Sequence, residues 1–250
     1  MDLKLKDKVA IVTGGGSQIG YGKGIALTLA REGCHVVVDD KDENFDGAKQ
    51  TTAEVKALGR RSIAVKADIR ERAEVDNLVK VTLDEFGQID ILVNNAGATN
   101  PFMPFTQMTR KDWEFDIETN LYGQMNMVQA VVPHMIARKY GKIVVFSGGQ
   151  GIANNSTYGA SKAGAVSFGY SIAKEFAPYG VIVNVFMPGV GATGLGGGTA
   201  KLPPGFWQNA AKRSMLGRTC SPEDVGNAIA FLVSDVNTYM VGCLLTLTTY

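Results

Sequence analysis

Residues 9–31 read VAIVTGGGSQIGYGKGIALTLAR. Val9–Thr13 is a short β-branched apolar run that ends in glycines, and from about Lys23 to Arg31 the apolar residues recur at helical spacing. The stretch therefore predicts a strand, a glycine-rich turn and a helix. Such a turn lets backbone amides approach a pyrophosphate at a helix N-terminus, where the dipole favours negative charge. A glycine cluster alone is a weak signal, so the neighbouring segments have to support it.

The next segment does so. Val36–Val38 runs directly into Asp39 and Asp40, at the spacing where a carboxylate at the end of a second strand can accept hydrogen bonds from an adenosine ribose. An Asp pair after a strand is also an ordinary turn former. In the functional reading Asp40 accepts the ribose hydroxyls and repels a 2′-phosphate, Asp39 adds negative charge, and Lys41 partly offsets the repulsion.

Helical patterns then alternate with short apolar runs. Helices are expected near Phe45–Leu58 and Arg72–Phe86, and strands at Ser62–Ala67, ending at Asp68, and Ile89–Val93, ending in the NNAG turn Asn94–Gly97. A long helix is expected from about Thr109 to Arg138, interrupted around Gly123 and Pro133, with Asn120 inside it as an unfavourable interior residue whose kink would aim a polar group at a site. Strands follow at Lys142–Phe146 and Val181–Met187, a helix at Ser221–Val233 with Pro at its first position, and a last strand at Met240–Leu247. Alternating strands and helices with near-continuous apolar strands predict one α/β domain: a doubly wound parallel sheet, a Rossmann fold, with helices on both faces. Ligands in such sheets sit beyond the carboxyl ends of the strands, where Asp40, Asp68 and the NNAG turn all fall.

The chemistry is concentrated in Ser156–Ala177, STYGASKAGAVSFGYSIAKEFA. Tyr158 and Lys162 are four residues apart in a helical pattern and so project from one face. A nearby ammonium stabilises a phenolate, which would let Tyr158 exchange a proton with an alcohol or carbonyl oxygen. By itself such a pair most often marks an amphipathic surface.

With 250 residues, 45% hydrophobic and 20% charged, the chain is long enough for a large core. Its net charge of +1, spread among acids, argues against nucleic acid or an anionic membrane as the main partner. Cys34, Cys220 and Cys243 are far apart, and His35 and His134 are isolated, so no metal site is expected and the thiols read as those of a reducing compartment. The N-terminus shows no signal-peptide pattern and no segment approaches a transmembrane span, which places the protein in the cytoplasm by expectation.

Over essentially its whole length the chain resembles the short-chain dehydrogenase/reductase family. The resemblance is carried by Thr13 and Gly14 with Gly20 and Gly22 after them, Asp40, Asp68, NNAG, Asn120, YGASK at residues 158–162, and NVFMPG at 184–189 with Thr193 beyond. It implies an oxidoreductase that moves a hydride between a nicotinamide cofactor and a small alcohol or ketone, with Tyr158 exchanging the proton. Lys162 would lower the Tyr158 pKa and hold the nicotinamide ribose, and Asn120 would anchor a water in the proton relay. Asn95, Ala96 and Gly97 would support the cofactor, Asp68 the adenine, and Pro188, Gly189 and Thr193 the carboxamide. A homotetramer or dimer is likewise implied.

Three departures stand out. The glycine loop has two more residues than the family pattern, and the last strand ends LLTLTTY where the family has DGG. The third lies after strand five, where Ser147 and Gly148 occupy the usual serine pair and Gly148 stands at the normally catalytic position. Ser147 is therefore either the hydrogen-bond donor to the substrate or a structural strand-end hydroxyl, with Gln150, Ser156 or water as other donors. Asp40 favours NAD. An NADPH-dependent carbonyl reductase of the 3-oxoacyl type, or a dinucleotide sensor without turnover, are the alternatives. Substrate identity would reside in the loops 98–108, 149–157 and 190–215, the last a glycine-rich and aromatic segment that suits a substrate-covering lid.

Overall fold

The computed structural model describes residues 1–195 and 205–247. Seven strands form one sheet: β1 (Val9–Thr13), β2 (His35–Asp40), β3 (Ser62–Lys66), β4 (Ile91–Asn94), β5 (Gly141–Phe146), β6 (Val181–Met187) and β7 (Leu244–Thr246). Their order is β3-β2-β1-β4-β5-β6-β7 and every neighbouring pair is parallel. The helices are α1 (Tyr21–Arg31), α2 (Phe45–Ala57), α3 (Arg72–Phe86), α4 (Arg110–Ile117), α5 (Gly123–Arg138), α6 (Ser156–Phe176), α7 (Phe206–Arg213) and α8 (Pro222–Val233).

The strands are apolar along their whole length because helices cover both faces of the sheet. Ile11, Val37, Leu92 and Val145 point to one side, into a core with Val75, Leu78, Met127 and Ile172 from α3, α5 and α6. Val12, Val36, Val38 and Val144 point to the other, against Ile25 and Leu29 of α1, Val55 of α2 and Ile229 of α8. Each of these side chains removed from water contributes about 1.5–3 kcal/mol. On the second face α1 and α8 pack backbone to backbone: a Cβ at Gly24 would lie 2.5 Å from the Pro222 ring, and one at Gly226 would collide with the Thr28 hydroxyl.

From β1 the chain builds outward through β2 and β3, then returns to the other side of β1 to lay down β4. The loops leaving β1 and β4 diverge, which opens a crevice at the carboxyl edge between them. The expected doubly wound sheet is thus the observed one, with shifts at element ends. The last strand is shorter than 240–247, and the strand expected at 89–93 begins at Ile91. Pro133 lies within α5 without ending it; the break in the long helix falls instead at a π-helical turn, Glu118–Tyr122, with Asn120 at its centre. Of the expected lid at 190–215, residues 196–204 lie outside the described residues, and 206–213 form α7. No helix among the described residues is long and apolar enough to cross a membrane.

Candidate active site

A cavity occupies the crevice, running from the end of β2 past the N-terminus of α1 to Tyr158 and the segment after β6. Its middle is built by glycine. Gly14 has φ +69°, and a Cβ at Gly22 would collide with the Gly14 carbonyl, so α1 starts hard against the first turn. Gly20, at the N-cap of α1, offers no side chain to the helix, leaving its first amides unclaimed by any cap. The NNAG turn braces the same place: Asn95 Nδ2 donates to the carbonyls of Thr13 (2.8 Å) and Gly14 (3.2 Å), and the Ala96 amide donates to Thr13 Oγ1 (3.0 Å).

The two additional loop residues do not fill the cavity. The loop folds onto the β2–α2 connection, where the Gly15 and Gly16 amides donate to the Asp39 carbonyl (2.9 Å) and Asp40 Oδ2 (2.8 Å) and Thr51 Oγ1 donates to the Gly15 carbonyl. Side chains at Gly16 or Gly47 would collide with this packing. Ser17 and Tyr21 reach across instead, donating to the carbonyls of Thr193 (3.1 Å) and Gly189 (2.7 Å). Gly14, Gly20, Asn95, Ala96, Gly97, Pro188 and Thr193 all line the cavity, whereas Gly22 and Gly189 stand behind it as packing and hydrogen-bonding backbone.

The three acids at the β2 end of the cavity differ in role. Asp40 lines the cavity but also holds the glycine loop, accepting from Gly16, from the Lys41 amide (2.9 Å) and from Asn44 Nδ2 (3.5 Å); burial pushes its carboxyl above the usual range against those hydrogen bonds. Asp68 is clasped by Arg70, whose Nε lies 3.0 Å from both carboxylate oxygens. Burial works against ionisation there, yet the Arg70 hydrogen bonds outweigh it and keep the carboxyl below its ordinary value. Asp68, expected beside the adenine, thus lines the cavity as one half of an ion pair. Asp39 is only 1% exposed, and burial, reinforced by Asp40 and Asp68, drives its carboxyl far above the usual range, which works against the added negative charge expected of it.

At the other end, α6 delivers Tyr158 (8% exposed) and Lys162 (3% exposed) to the cavity wall, with the Lys162 Nζ 5.8 Å from the Tyr158 ring centroid and 3.4 Å from the Phe146 carbonyl. Burial, with the Asp116 charge adding to it, raises the Tyr158 phenol, while burial lowers Lys162 to about 8. In the free protein desolvation therefore dominates, and the depression of the phenol expected from Lys162 is not what this arrangement produces.

Asn120 is fully buried and does not line the cavity. Its side chain accepts from the Ala98 amide (3.1 Å) and donates to the carbonyls of Ala98 (2.7 Å) and Asp116 (2.9 Å). The π turn frees its backbone carbonyl, but Gln124 Nε2 takes that acceptor at 2.7 Å. Gln124 also pairs with both backbone groups of Phe146, welding α5 to the end of β5. Asn120 and Lys162 meet over Gly97, where a Cβ would stand 2.8 Å from Asn120 Oδ1 and 3.3 Å from Lys162 Nζ.

Ser147 donates its hydroxyl to the Lys162 carbonyl and accepts from Gln150 Nε2 at 2.7 Å. Gly148 has φ +135°, and a Cβ there would meet only the Pro188 ring, at 4.0 Å. Beside it Gly149, at φ +70°, lies flat on the Tyr158 ring. The loops at 98–108 and 149–157 are joined: the Met103 amide donates to the Asn154 carbonyl, Thr99 Oγ1 to Asn155 Oδ1, and the buried Asp116 accepts from both the Asn100 amide and Thr157 Oγ1. Around these loops the exposed apolar side chains include Phe102, Phe105 stacked on Trp113, and Ile152.

Sequence reasoning missed Asp116 and Gln124. Their signal was a polar stripe at 116, 120 and 124, one helical face that a buried helix should have kept apolar. Among the described residues no group of His, Cys, Asp or Glu could hold a metal ion.

Comparison with known proteins places these features. The family model described as enoyl-(acyl carrier protein) reductase matches residues 14–247. The 3-oxoacyl-[acyl-carrier-protein] reductase FabG of Thermotoga maritima is 36% identical over 244 residues, spanning 96% of each chain. The (2S)-[(R)-hydroxy(phenyl)methyl]succinyl-CoA dehydrogenase subunit BbsD of Thauera aromatica is 35% identical over 243 residues, covering 96% of this chain and 95% of that one. A solved structure described as a short-chain alcohol dehydrogenase from Sinorhizobium meliloti superposes with a TM-score of 0.89 at 30% identity, over 98% of this chain and 96% of that chain. Sheet order, glycine crevice and whole-length similarity lead to one conclusion: the chain belongs to the short-chain dehydrogenase/reductase family of oxidoreductases.

Proposed function

We propose that the protein is an NAD(H)-dependent oxidoreductase that interconverts a secondary alcohol and a ketone, with Tyr158 as the proton-exchanging residue. The observation that carries this reading is that one cavity holds both the uncapped N-terminus of α1 and the Tyr158–Lys162 pair. A dinucleotide fits the residues present, since Gly14 and Gly20 line the cavity without side chains beside the uncapped α1 N-terminus, and Gly22 lets that helix start against the first turn. Bound there, the nicotinamide would supply or accept the hydride. Tyr158 would give its proton to the substrate oxygen in reduction and take it in oxidation, and Lys162 would hold the nicotinamide ribose. Pro188 and Thr193 would face the carboxamide, with Tyr21 and Ser17 fixing that segment.

With the Ser147 proton directed at the Lys162 carbonyl, the second donor to the substrate oxygen is inferred to be Gln150, anchored on Ser147 and keeping one amide proton free. Asn120 acts by holding Ala98 and the π turn. The loops 98–108, 149–157 and 190–215 would cover a substrate of small or medium size with apolar character, in keeping with exposed Phe102, Phe105 and Ile152. A homo-oligomer in the cytoplasm accords with the family.

A second reading, an NADPH-dependent 3-oxoacyl-type reductase, is favoured by the similarity to FabG and by Lys41 and Arg70 at the adenosine end. Asp40 stands against a 2′-phosphate there. A sensor without turnover is disfavoured by the intact tyrosine–lysine pair. The deciding experiment follows reduced nicotinamide absorbance over a panel of secondary alcohols, ketones and 3-oxoacyl thioesters with each cofactor. Turnover of simple ketones with NADH supports the first reading, exclusive turnover of 3-oxoacyl thioesters with NADPH the second, and cofactor binding with no turnover the third.

A further inference from the structure

Asp39 is an unusual thing for a fold to bury. It lies at the carboxyl end of β2, paired in register with Thr13, and is 1% exposed. Its Oδ1 is buried without a hydrogen-bond partner. The ionisable groups around it are the acids Asp40, Asp68 and Glu74, none of which can neutralise it, and the one group that favours its charge is the backbone amide of Ala67. A carboxyl oxygen taken out of water without a partner is costly, and native chains seldom keep one unless something else satisfies it. Yet Asp39 lines the cavity, alongside Ala67, Asp68, Ile69 and Arg70.

Strand geometry tells which part of a ligand it meets. Successive side chains alternate: Asp40 shares a face with Val38 and turns to the glycine loop, whereas Asp39 shares the face of Val37, which packs with Val65, Ala67 and Ile69 at the β3 end. That is the Asp68 side, where the family resemblance puts the adenine, and Asp68 is already clasped by Arg70.

We propose that Asp39 recognises the adenine base of the dinucleotide, presenting one hydrogen-bond donor and one acceptor to the base edge that carries the exocyclic amino group beside a ring nitrogen. This rests on the dinucleotide reading of the cavity. A protonated carboxylic acid has a hydroxyl donor next to a carbonyl acceptor, the same pair that lets Asn or Gln bind adenine through its amino group and N7. Burial keeps the proton on Asp39 well above the pH at which an ordinary carboxyl loses it. Hypoxanthine has an oxygen in place of the amino group, so beside N7 it presents two acceptors, and the carbonyl of a protonated Asp39 is left facing one of them.

The test is equilibrium binding without substrate. The tighter-binding of NADH and NADPH is titrated, with its hypoxanthine counterpart, against wild type, Asp39→Asn and Asp39→Ala, and each free protein is melted. The expected result is that wild type prefers the adenine form, Asp39→Asn keeps that preference, and Asp39→Ala loses about tenfold in affinity for the adenine form and little for the hypoxanthine one. The free Asp39→Ala protein should melt no lower than wild type. Adenine-form binding by Asp39→Ala within twofold of wild type, an equal loss for both bases, or a lower melting temperature would each overturn the inference while leaving the dinucleotide reading in place. Failure of wild type to bind either dinucleotide would overturn both.

Discussion

Ser147 donates its hydroxyl to the carbonyl oxygen of Lys162 at 2.9 Å, tying the end of β5 to the helix that bears Tyr158. In the free protein that hydroxyl proton is directed into the fold. Ser147→Ala should therefore cost about 0.5–1.5 kcal/mol of stability, since it removes a buried hydrogen bond between β5 and α6, and should release Gln150. Gln150→Ala should lower kcat about a hundredfold with unchanged stability, and adding Ser147→Ala to it should lower kcat little further. Gly148→Ser gains a hydroxyl with room around it but must hold φ +135°, so lower stability and no rise in activity are expected. Chemical denaturation and steady-state rates on one substrate check all four proteins.

Tyr158→Phe keeps the ring that packs on Gly149 and removes the exchangeable proton. Cofactor affinity and melting temperature should stay within error of wild type while kcat falls by at least a thousandfold. Turnover near wild type would refute the assignment.

Lys162 carries a pH signature. Its folded-state pKa, about 8, lies below the ordinary lysine value of 10.5, so the buried ammonium penalises the free fold fully below pH 8 and the penalty fades as pH rises towards 10.5. A difference of roughly 2.5 units corresponds to about 3 kcal/mol. Lys162→Met should thus be more stable than wild type at pH 7 without cofactor, by up to that amount, with the gap narrowing by pH 10. Urea denaturation at the two pH values measures this, and cofactor titration should show weaker binding in the same variant.

Asp40 should set cofactor choice and loop order together. Asp40→Ala removes the acceptor for the Gly16 amide as well as the charge proposed to face the ribose. NADH affinity should drop more than tenfold, with NADPH affinity changing less, as read by fluorescence titration of both. An unchanged ratio of the two affinities would show that Asp40 only holds the loop.

Gln124→Leu should be the most destabilising of these changes, about 3 kcal/mol or more. It removes the Gln124 side-chain partner of the Asn120 carbonyl and of the Phe146 amide in a dry interior, and leaves the Phe146 carbonyl only the longer contact with Lys162 Nζ. Thermal unfolding checks this directly.

The sheet, its order of elements and the Tyr158–Lys162 pair were legible in the sequence because apolar periodicity and i,i+4 spacing are local properties. Other features depend on contacts far along the chain. Asp39 and Asp40 look interchangeable in sequence, and only the orientation of β2 in the sheet sends one to the glycine loop and the other towards β3. The direction of the Ser147 hydroxyl depends on Lys162, fifteen residues later in another element. The helix break could be foreseen from Asn120, but the π turn that makes it closes on Gln124 and Ala98, which no local propensity encodes.

The sheet order divides the polypeptide at its switch point into two nearly independent inheritances. What lines the cavity at its β2 end, Asp39, Asp40, Asp68 and Arg70, is laid down by the strands and turns before Ile91, and what lines it at the α6 end, Ser147, Tyr158 and Lys162, comes after it. Selection could rewrite the loops after β4 and β5 while the first third of the chain goes on building the same β2 end. The crevice between β1 and β4 is the seam along which descendants of such a chain would diverge.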